Sequence, residues 1–139
     1  VVATESASFV QAFSKIGLIP DSGSTFFLPR LIGIQKAAAL MMTAEPVSAK
    51  DAERMGMIYK TYSDEKFELE SWKLVSKLAK MPTKGLGLTK RLLNASSNND
   101  LEGQLSMEDE CQVISADTDD FKEGVQAFLE KRTPNFKGK

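Results

Sequence analysis

The chain has 139 residues, 42% hydrophobic and 27% charged, which is the length and composition of one ordinary globular domain. Eighteen Lys and Arg against nineteen Asp and Glu give a net charge of −1, so no global field recruits nucleic acid or an anionic membrane. The sequence has no histidine, which excludes Ser-His-Asp triads, histidine zinc sites and histidine proton shuttles.

Neither a membrane span nor a disulfide is predicted. No apolar run is long enough to cross a bilayer, and no basic segment followed by an apolar one forms a leader. The single cysteine, Cys111, has no partner for an internal disulfide and no histidine to activate it, so we interpret it as a packing residue. These observations favour a reducing, cytoplasmic location without a membrane partner.

The first residues, Val1–Thr4, read as the end of a buried strand, and we expect the chain to be a piece of a longer protein. An apolar run then ends at Pro20, and Gly23 permits a tight reversal, which predicts a turn that carries Asp21. Two interpretations of this turn stay open. Asp21 or Ser22 caps the helix that follows, or the Asp21 carboxylate, set among apolar neighbours, acts as a general base or acid.

The spacing of apolar residues predicts helices along most of the remaining chain. Pro29 is expected to bend or break the first of them. The segment Gln35–Thr43 is apolar on nearly all sides, which predicts burial. The predicted elements are, in order, helices over Thr25–Ile32 and Gln35–Thr43, a short helix from Ser48 to Gly56, a strand over Met57–Tyr62, a helix capped by Ser63-Asp64, a helix from Thr83 through Leu93, a helix capped by Asp100 and a final helix that begins at Thr118-Asp119-Asp120.

The predicted fold is therefore mostly α with one or two short strands. The last helix is expected to turn four side chains inward: Phe121, Val125, Phe128 and Leu129. Several helical faces are more apolar than one small domain needs, so we expect further chain or other subunits to cover them.

Four segments, in this order and at this spacing, carry a resemblance to the crotonase superfamily, also called the enoyl-CoA hydratase/isomerase family. The resemblance covers essentially the whole chain, as the C-terminal portion of a crotonase (ClpP/crotonase-like) α/β fold. The segments are ATESASFVQAFSKIGLIPDSGS at Ala3–Ser24, LPRLIG at Leu28–Gly33, SAKDAERMGMI at Ser48–Ile58 and DDFKEGVQAFLEKRTPNFKG at Asp119–Gly138.

The resemblance implies a catalytic role for Asp21. Hydratases of the family use two glutamates; one lies before residue 1, and the place of the other is taken here by Phe13, which cannot activate water. Asp21 resembles the aspartate with which the family's isomerases move protons along an acyl chain. The turn at Ile19–Gly23, together with TKGLGLTKRLLNAS at Thr83–Ser96, is most similar to family isomerases that act on the ring epoxide of a phenylacetyl-CoA.

The end of the chain carries a second implication. In the family, an aromatic residue and a lysine of a Phe-x-x-Lys-Arg segment approach the adenine and phosphates of coenzyme A, often from a neighbouring subunit. Here these residues are Phe128 and Lys131, with Arg132 beside them. A spacing of three residues predicts that both lie on one side of a helix. The alternative is that Phe128 is a core residue and Lys131 is solvated.

The sequence therefore predicts an acyl-CoA isomerase with Asp21 as its catalytic residue. The alternatives are a Δ3,Δ2-enoyl-CoA or dienoyl-CoA isomerase of fatty-acid oxidation, or a non-catalytic CoA-binding or assembly fragment, because the family's oxyanion hole lies before residue 1. We expect no cofactor or metal beyond coenzyme A in the substrate, a homotrimer or hexamer of the full-length protein, and no activity from this fragment alone. The predicted regions are 1–62, the end of the core with the active-site turn, and 63–139, a helical oligomerisation and CoA-binding region.

Overall fold

The computed structural model describes residues 1–139, which divide into two compact units, Val1–Trp72 and Lys73–Lys139. The chain is mostly helical with four short strands, and none of its helices has the length and apolar character needed to cross a membrane. In chain order the elements are β1 (Val2–Thr4), β2 (Ser8–Phe9), a 3₁₀ helix (Ala12–Ile16), α1 (Ser24–Ile32), α2 (Ile34–Thr43), β3 (Val47–Ser48), α3 (Ala49–Arg54), β4 (Lys60–Tyr62), a 3₁₀ turn (Asp64–Lys66), α4 (Phe67–Ala79), α5 (Thr83–Ala95), α6 (Leu101–Ala116) and α7 (Asp119–Leu129).

The strands of the first unit form two pairs. β1 runs parallel to β4, with Val2 opposite Lys60 and Thr4 opposite Tyr62, and β2 runs antiparallel to β3. Parallel strands need a crossover connection, and here the chain from β2 to α3 supplies it. The predicted strand Met57–Tyr62 is shorter than expected, because its first residues form the turn that leads out of α3.

Small side chains make the core of the first unit. Ala49 and Ala52 of α3 are completely buried against a cluster that also contains Ala3, Val47 and Ile58. Their methyl groups let the helix backbone come close to the strands. A second cluster, Leu28, Ile32 and Ala37, joins α1 to α2.

The structure bears on two expectations about α1 and α2, the break at Pro29 and the burial of α2. Pro29 does not break its helix, since α1 continues to Ile32 and the Pro29 carbonyl accepts the Gly33 N–H at 2.9 Å. The Gln35–Thr43 segment is helical, but only Ala37 is buried, and Met42 is among its exposed side chains. An apolar composition all round a helix says that it needs cover, but this chain supplies cover on one side only.

Two predicted helix caps and the predicted start of the last helix are confirmed, and in each the side chain accepts a backbone N–H three residues further along the chain. The Ser48 hydroxyl accepts the Asp51 N–H at 3.1 Å, the Asp100 carboxylate accepts the Gly103 N–H at 2.8 Å, and the Thr118 hydroxyl accepts the Phe121 N–H at 3.0 Å; these begin α3, α6 and α7. Each satisfies one of the N–H groups that the first turn of a helix leaves without a partner.

The predicted cap at Ser63-Asp64 is wrong. Neither side chain caps the turn that begins there. The Asp64 carboxylate instead accepts hydrogen bonds from the main-chain N–H and the hydroxyl of Ser6, 58 residues earlier in the sequence. A long-range partner has displaced a local one.

In the second unit, fewer apolar side chains of α5, α6 and α7 are buried than the sequence predicts. Cys111 is buried, as expected of a packing residue. The predicted inward stripe of α7 is wrong within this chain, because all four of its members are exposed: Phe121, Val125, Phe128 and Leu129. All four, with Pro82 before α5 and Phe136 of the tail, line an open apolar groove of about 440 Å³.

The chain reverses at Lys131, directly after α7. Lys131 has φ 55°, a left-handed conformation, and its N–H donates to the Phe128 carbonyl at 3.2 Å. The Arg132 N–H donates to the Ala127 carbonyl at 3.0 Å. This pair of bonds is the Schellman motif, in which glycine usually occupies the left-handed position.

Beyond this reversal the C-terminal tail runs back along α7 and is held by two carboxylates of that helix. Asp120, only 3% exposed, accepts the main-chain N–H groups of Lys137 at 2.6 Å and Gly138 at 2.8 Å. Glu123 accepts both terminal guanidinium nitrogens of Arg132, at 2.6 and 2.9 Å, and the Asn135 N–H at 2.7 Å. This clamp could not be predicted from the sequence, because the groups that the two carboxylates bind are mostly backbone N–H groups, which no side-chain pattern reveals.

The Glu123 carboxylate carries a pH prediction. Its hydrogen bonds, first from Arg132 and then from the Asn135 N–H, lower its pKa from 4.5 to about 2. A lowered carboxyl pKa adds stability above the unfolded value, and that stability is lost as the pH falls through the folded value. We therefore expect the docking of the tail through Glu123 to weaken between pH 4.5 and about 2, and to be intact above that range.

The measurement is the pH titration of the Glu123 side-chain carboxyl resonance by NMR, with the Asn135 amide followed in parallel. Arg132→Gln is the comparison, because it removes the first cause of the shift and should return the midpoint toward 4.5. A wild-type midpoint already near 4.5 would contradict the ion pair.

Candidate active site

The turn that carries Asp21 has a tightly constrained backbone. The Asp21 carbonyl accepts the Ser24 N–H at 2.9 Å, and the Gly23 carbonyl accepts the N–H groups of Phe26 and Phe27, both at 2.9 Å. Ser22 and Gly23 are consecutive residues in the left-handed region, with φ 52° and 79°. The chain therefore leaves Asp21 and enters α1 within two residues.

The left-handed conformation has a different energetic cost at Gly23 and at Ser22. For Gly23 the conformation is natural, and a Cβ there would lie 3.0 and 3.1 Å from two ring atoms of Phe27. For Ser22 the conformation costs roughly 1 kcal/mol relative to an ordinary one. Strain of this kind persists where the surrounding structure fixes it, and it is common next to functional side chains.

The Asp21 side chain is exposed, and its carboxylate does not cap α1. Gly23 occupies the N-cap position, and no side chain bonds to the first turn. The Ser22 hydroxyl donates to Asp21 Oδ1 at 3.0 Å. The capping interpretation of Asp21 and Ser22 is therefore wrong. The apolar enclosure expected from the neighbouring sequence is also not supplied by this chain.

A cavity of about 300 Å³ adjoins the turn at Ser22 and Ser24. It is mostly apolar, with Phe27 and Leu31 of α1 in its wall, and Gln11 adds a polar group. The Gln11 Oε1 atom is buried and has no hydrogen-bond partner. Phe13, two residues further on, is partly buried in the 3₁₀ helix and accepts the Leu18 N–H at its carbonyl.

The candidate CoA-binding residues lie in the second unit. Phe128 is 82% exposed on the last turn of α7, so the core alternative for it is wrong in this chain. Lys131 is exposed too, but the prediction that both lie on one side of a helix is wrong, because α7 ends at Leu129. Arg132 is engaged by Glu123 and Glu130, with its Nε 2.6 Å from Glu130.

Sequence reasoning missed three site-related residues: Gln11, Asp120 and Glu123. Gln11 gave no signal beyond its place between apolar neighbours, and a paired Asp119-Asp120 at a helix start is usually read as capping charge. Asp120 is buried instead. No group of three or more histidine, cysteine, aspartate or glutamate side chains is gathered closely enough to hold a metal ion.

Comparison with known proteins gives the family. The sequence profile described as enoyl-CoA hydratase/isomerase matches residues 1–139. The chain belongs to the enoyl-CoA hydratase/isomerase family, as the resemblance in its sequence segments predicts.

The relatives include proteins described as isomerases and proteins described as hydratases. The chain is 44% identical to 1,2-epoxyphenylacetyl-CoA isomerase of Escherichia coli K12, over 100% of this chain and 53% of the relative. It is 41% identical to a protein of Rhodobacter capsulatus described as a probable enoyl-CoA hydratase, over 100% of this chain and 54% of the relative. The chain thus spans about half the length of the curated relatives it matches.

Solved structures agree on the fold. The crystal structure of an enoyl-CoA hydratase subunit I from Geobacillus kaustophilus HTA426 matches with a TM-score of 0.95 at 33% identity. The match covers 99% of this chain and 54% of that one. The mostly helical architecture is therefore part of the crotonase fold, as predicted.

The Asp21 turn generates a stability prediction. Gly23→Ala should lower the free energy of unfolding by roughly 1–3 kcal/mol, because it adds left-handed strain and brings a Cβ against the Phe27 ring. Gly17→Ala is the matched control, since Gly17 also has positive φ, 74°, but has no atom within 4 Å of an added Cβ. Chemical denaturation of both variants measures the difference, and equal losses would mean that the Phe27 contact is unimportant.

Proposed function

We propose that the whole protein is an acyl-CoA isomerase in which the Asp21 carboxylate moves a proton on a CoA thioester. The observation that carries this proposal is an exposed carboxylate held on a turn whose backbone is fixed by two left-handed residues. The ring epoxide of a phenylacetyl-CoA is the favoured substrate, supported by the 44% identity to an isomerase with that activity in its name.

The chemistry follows from the acidity of thioesters. The thioester carbonyl acidifies the α carbon and, through a double bond, the γ carbon, so a carboxylate within hydrogen-bond reach can remove one proton. The resulting carboxylic acid returns that proton to another carbon, and the isomer has the same atoms as the substrate. For a ring epoxide, the same acid assists opening of the epoxide and expansion of the ring to an oxepin.

The developing enolate needs hydrogen-bond donors at the thioester oxygen. The resemblance assigns these N–H groups to chain outside residues 1–139, so we expect Val1–Lys139 alone to bind CoA weakly and to turn nothing over.

Phe13 favours isomerisation over hydration. The family's hydratases carry a glutamate at this place, and a phenyl ring can neither accept a proton from water nor orient it for attack. The neighbouring Gln11 amide is neutral, and no acidic side chain lines the cavity beside the turn, so the candidate acid is Asp21 of the turn itself.

Coenzyme A contact is assigned to Phe128 and Lys131. An 82% exposed ring is available to stack on an adenine, and an exposed ammonium group without an ion pair is available to a phosphate. The exposed apolar stripe of α7 supports assembly of the whole protein into a homotrimer or hexamer, because neighbouring exposed apolar side chains of this kind are normally covered by a partner.

The test is proton exchange in the full-length protein. Asp21→Asn should lower isomerisation and the entry of deuterium from heavy water by at least about a hundredfold, since it keeps the shape but removes the base. Mass spectrometry follows label incorporation into phenylacetyl-type and straight-chain enoyl-CoA substrates, and titration of CoA follows binding. Asp117→Asn, an exposed aspartate after α6, is the matched control.

The outcomes separate the alternatives. Exchange that depends on Asp21 and prefers the phenylacetyl-type substrate supports the proposal, whereas preference for a straight chain would favour a Δ3,Δ2-enoyl-CoA or dienoyl-CoA isomerase. Loss of CoA binding in parallel with activity would make Asp21 a structural residue. Absence of exchange in the wild-type protein would leave a CoA-binding role alone.

A further inference from the structure

The fold fixes the backbone on both sides of Lys131. On one side, the two hydrogen bonds of the Schellman motif, from Lys131 and Arg132 to α7 carbonyls, set the reversal. On the other side, the tail is pinned to α7 by Asp120 and Glu123. The direction in which the Lys131 side chain leaves the backbone is therefore determined by the helix and by the docked tail together.

Of the two cationic residues that follow the C-terminal end of α7, Arg132 is ion-paired and Lys131 is not. Glu123 and Glu130 occupy the Arg132 guanidinium group with three hydrogen bonds of 2.6 to 2.9 Å. Lys131, the adjacent residue, makes no ion pair and keeps a left-handed backbone where glycine would be easier. A lysine at such a position, beside an arginine whose charge is already paired, has its own charge free for a partner outside the fold.

Neither Asp120 nor Glu123 hydrogen-bonds to Lys131 or to Phe128. Asp120 lies about two helical turns before Phe128, where it accepts the tail's N–H groups, and its own N–H donates to the Lys139 carbonyl at 3.0 Å. These contacts close the tail over the N-terminal end of α7. Any effect of Asp120 or Glu123 on a ligand at Lys131 must pass through the backbone that they hold.

We infer that Asp120 and Glu123 are positioning residues for recognition of the nucleotide end of coenzyme A, which they achieve by fixing the reversal that presents Lys131 beside Phe128. This inference rests on the proposed CoA contact of Phe128 and Lys131. It adds that the contact is lost when the tail is released, even with both contact residues intact.

The experiment compares two substrates that share an acyl group. One is the acyl-CoA, and the other is the acyl-pantetheine, which lacks the adenine and the phosphates. In the full-length protein, Asp120→Asn and Glu123→Gln should each raise KM for the acyl-CoA about tenfold, because a charged hydrogen bond that holds the tail is lost. Their kcat at saturation and their KM for the acyl-pantetheine should stay at wild-type values.

Asp119→Asn is the matched control. Asp119 is the neighbour of Asp120, is exposed, and forms its ion pair with Lys122 of the same helix at 3.6 Å, so its variant should leave both KM values unchanged. Phe128→Ala and Lys131→Ala report on the proposed contact itself. Glu123→Gln decides the question if Asp120→Asn does not fold, since Glu123 is less deeply buried than Asp120.

The outcomes distinguish the two ideas. If Lys131→Ala raises KM for the acyl-CoA but the clamp variants do not, the positioning role is wrong and the CoA contact stands. If Phe128→Ala and Lys131→Ala leave KM unchanged, the proposed contact fails, and the inference with it. Equal rises in KM for acyl-CoA and acyl-pantetheine, or a fall in kcat, would mean that the two carboxylates only stabilise the fold.

Discussion

Close backbone approach at alanine is the constraint on which the first unit depends. The residues of this unit that are at most 1% exposed are all alanines: Ala37, Ala44, Ala49 and Ala52. A methyl group lets a helix lie near a strand or another helix, but it buries little area, so the hydrophobic gain per residue is small. Many of the larger apolar side chains lie on outer faces, and the chain carries more apolar surface than it can cover by itself.

Sequence reasoning succeeded where an interaction is local. The caps at Ser48, Asp100 and Thr118 each join a side chain to an N–H three residues away, so the sequence contains both partners. It failed at Asp64, whose carboxylate binds Ser6 across 58 residues, and at Lys131, where a helical spacing was extended past the end of the helix. A helix cap can be predicted from a few neighbouring residues, whereas a long-range hydrogen bond and the residue at which the chain reverses cannot.

Burial was the least predictable property. Periodicity located the apolar stripe of α7 and composition the apolar surface of α2, but neither says what lies against them. In this chain the α7 stripe is exposed and α2 is covered on one side only. At the candidate site, the turn at Asp21 could be foreseen from Pro20 and Gly23, because both restrict the backbone in known ways. The unpartnered amide of Gln11 and the clamp of Asp120 could not, since both depend on distant packing.

The clamp on the tail has a consequence for how this region can vary among related sequences. Asp120 recognises only main-chain N–H groups of residues 137 and 138, so most side chains at position 137 would satisfy it equally well. Proline at either position would abolish a hydrogen bond, and at position 138 the positive φ of 75° and the nearby Thr83 hydroxyl also demand glycine. Position 137 therefore tolerates most substitutions, whereas position 138 requires glycine, although the same carboxylate binds both residues.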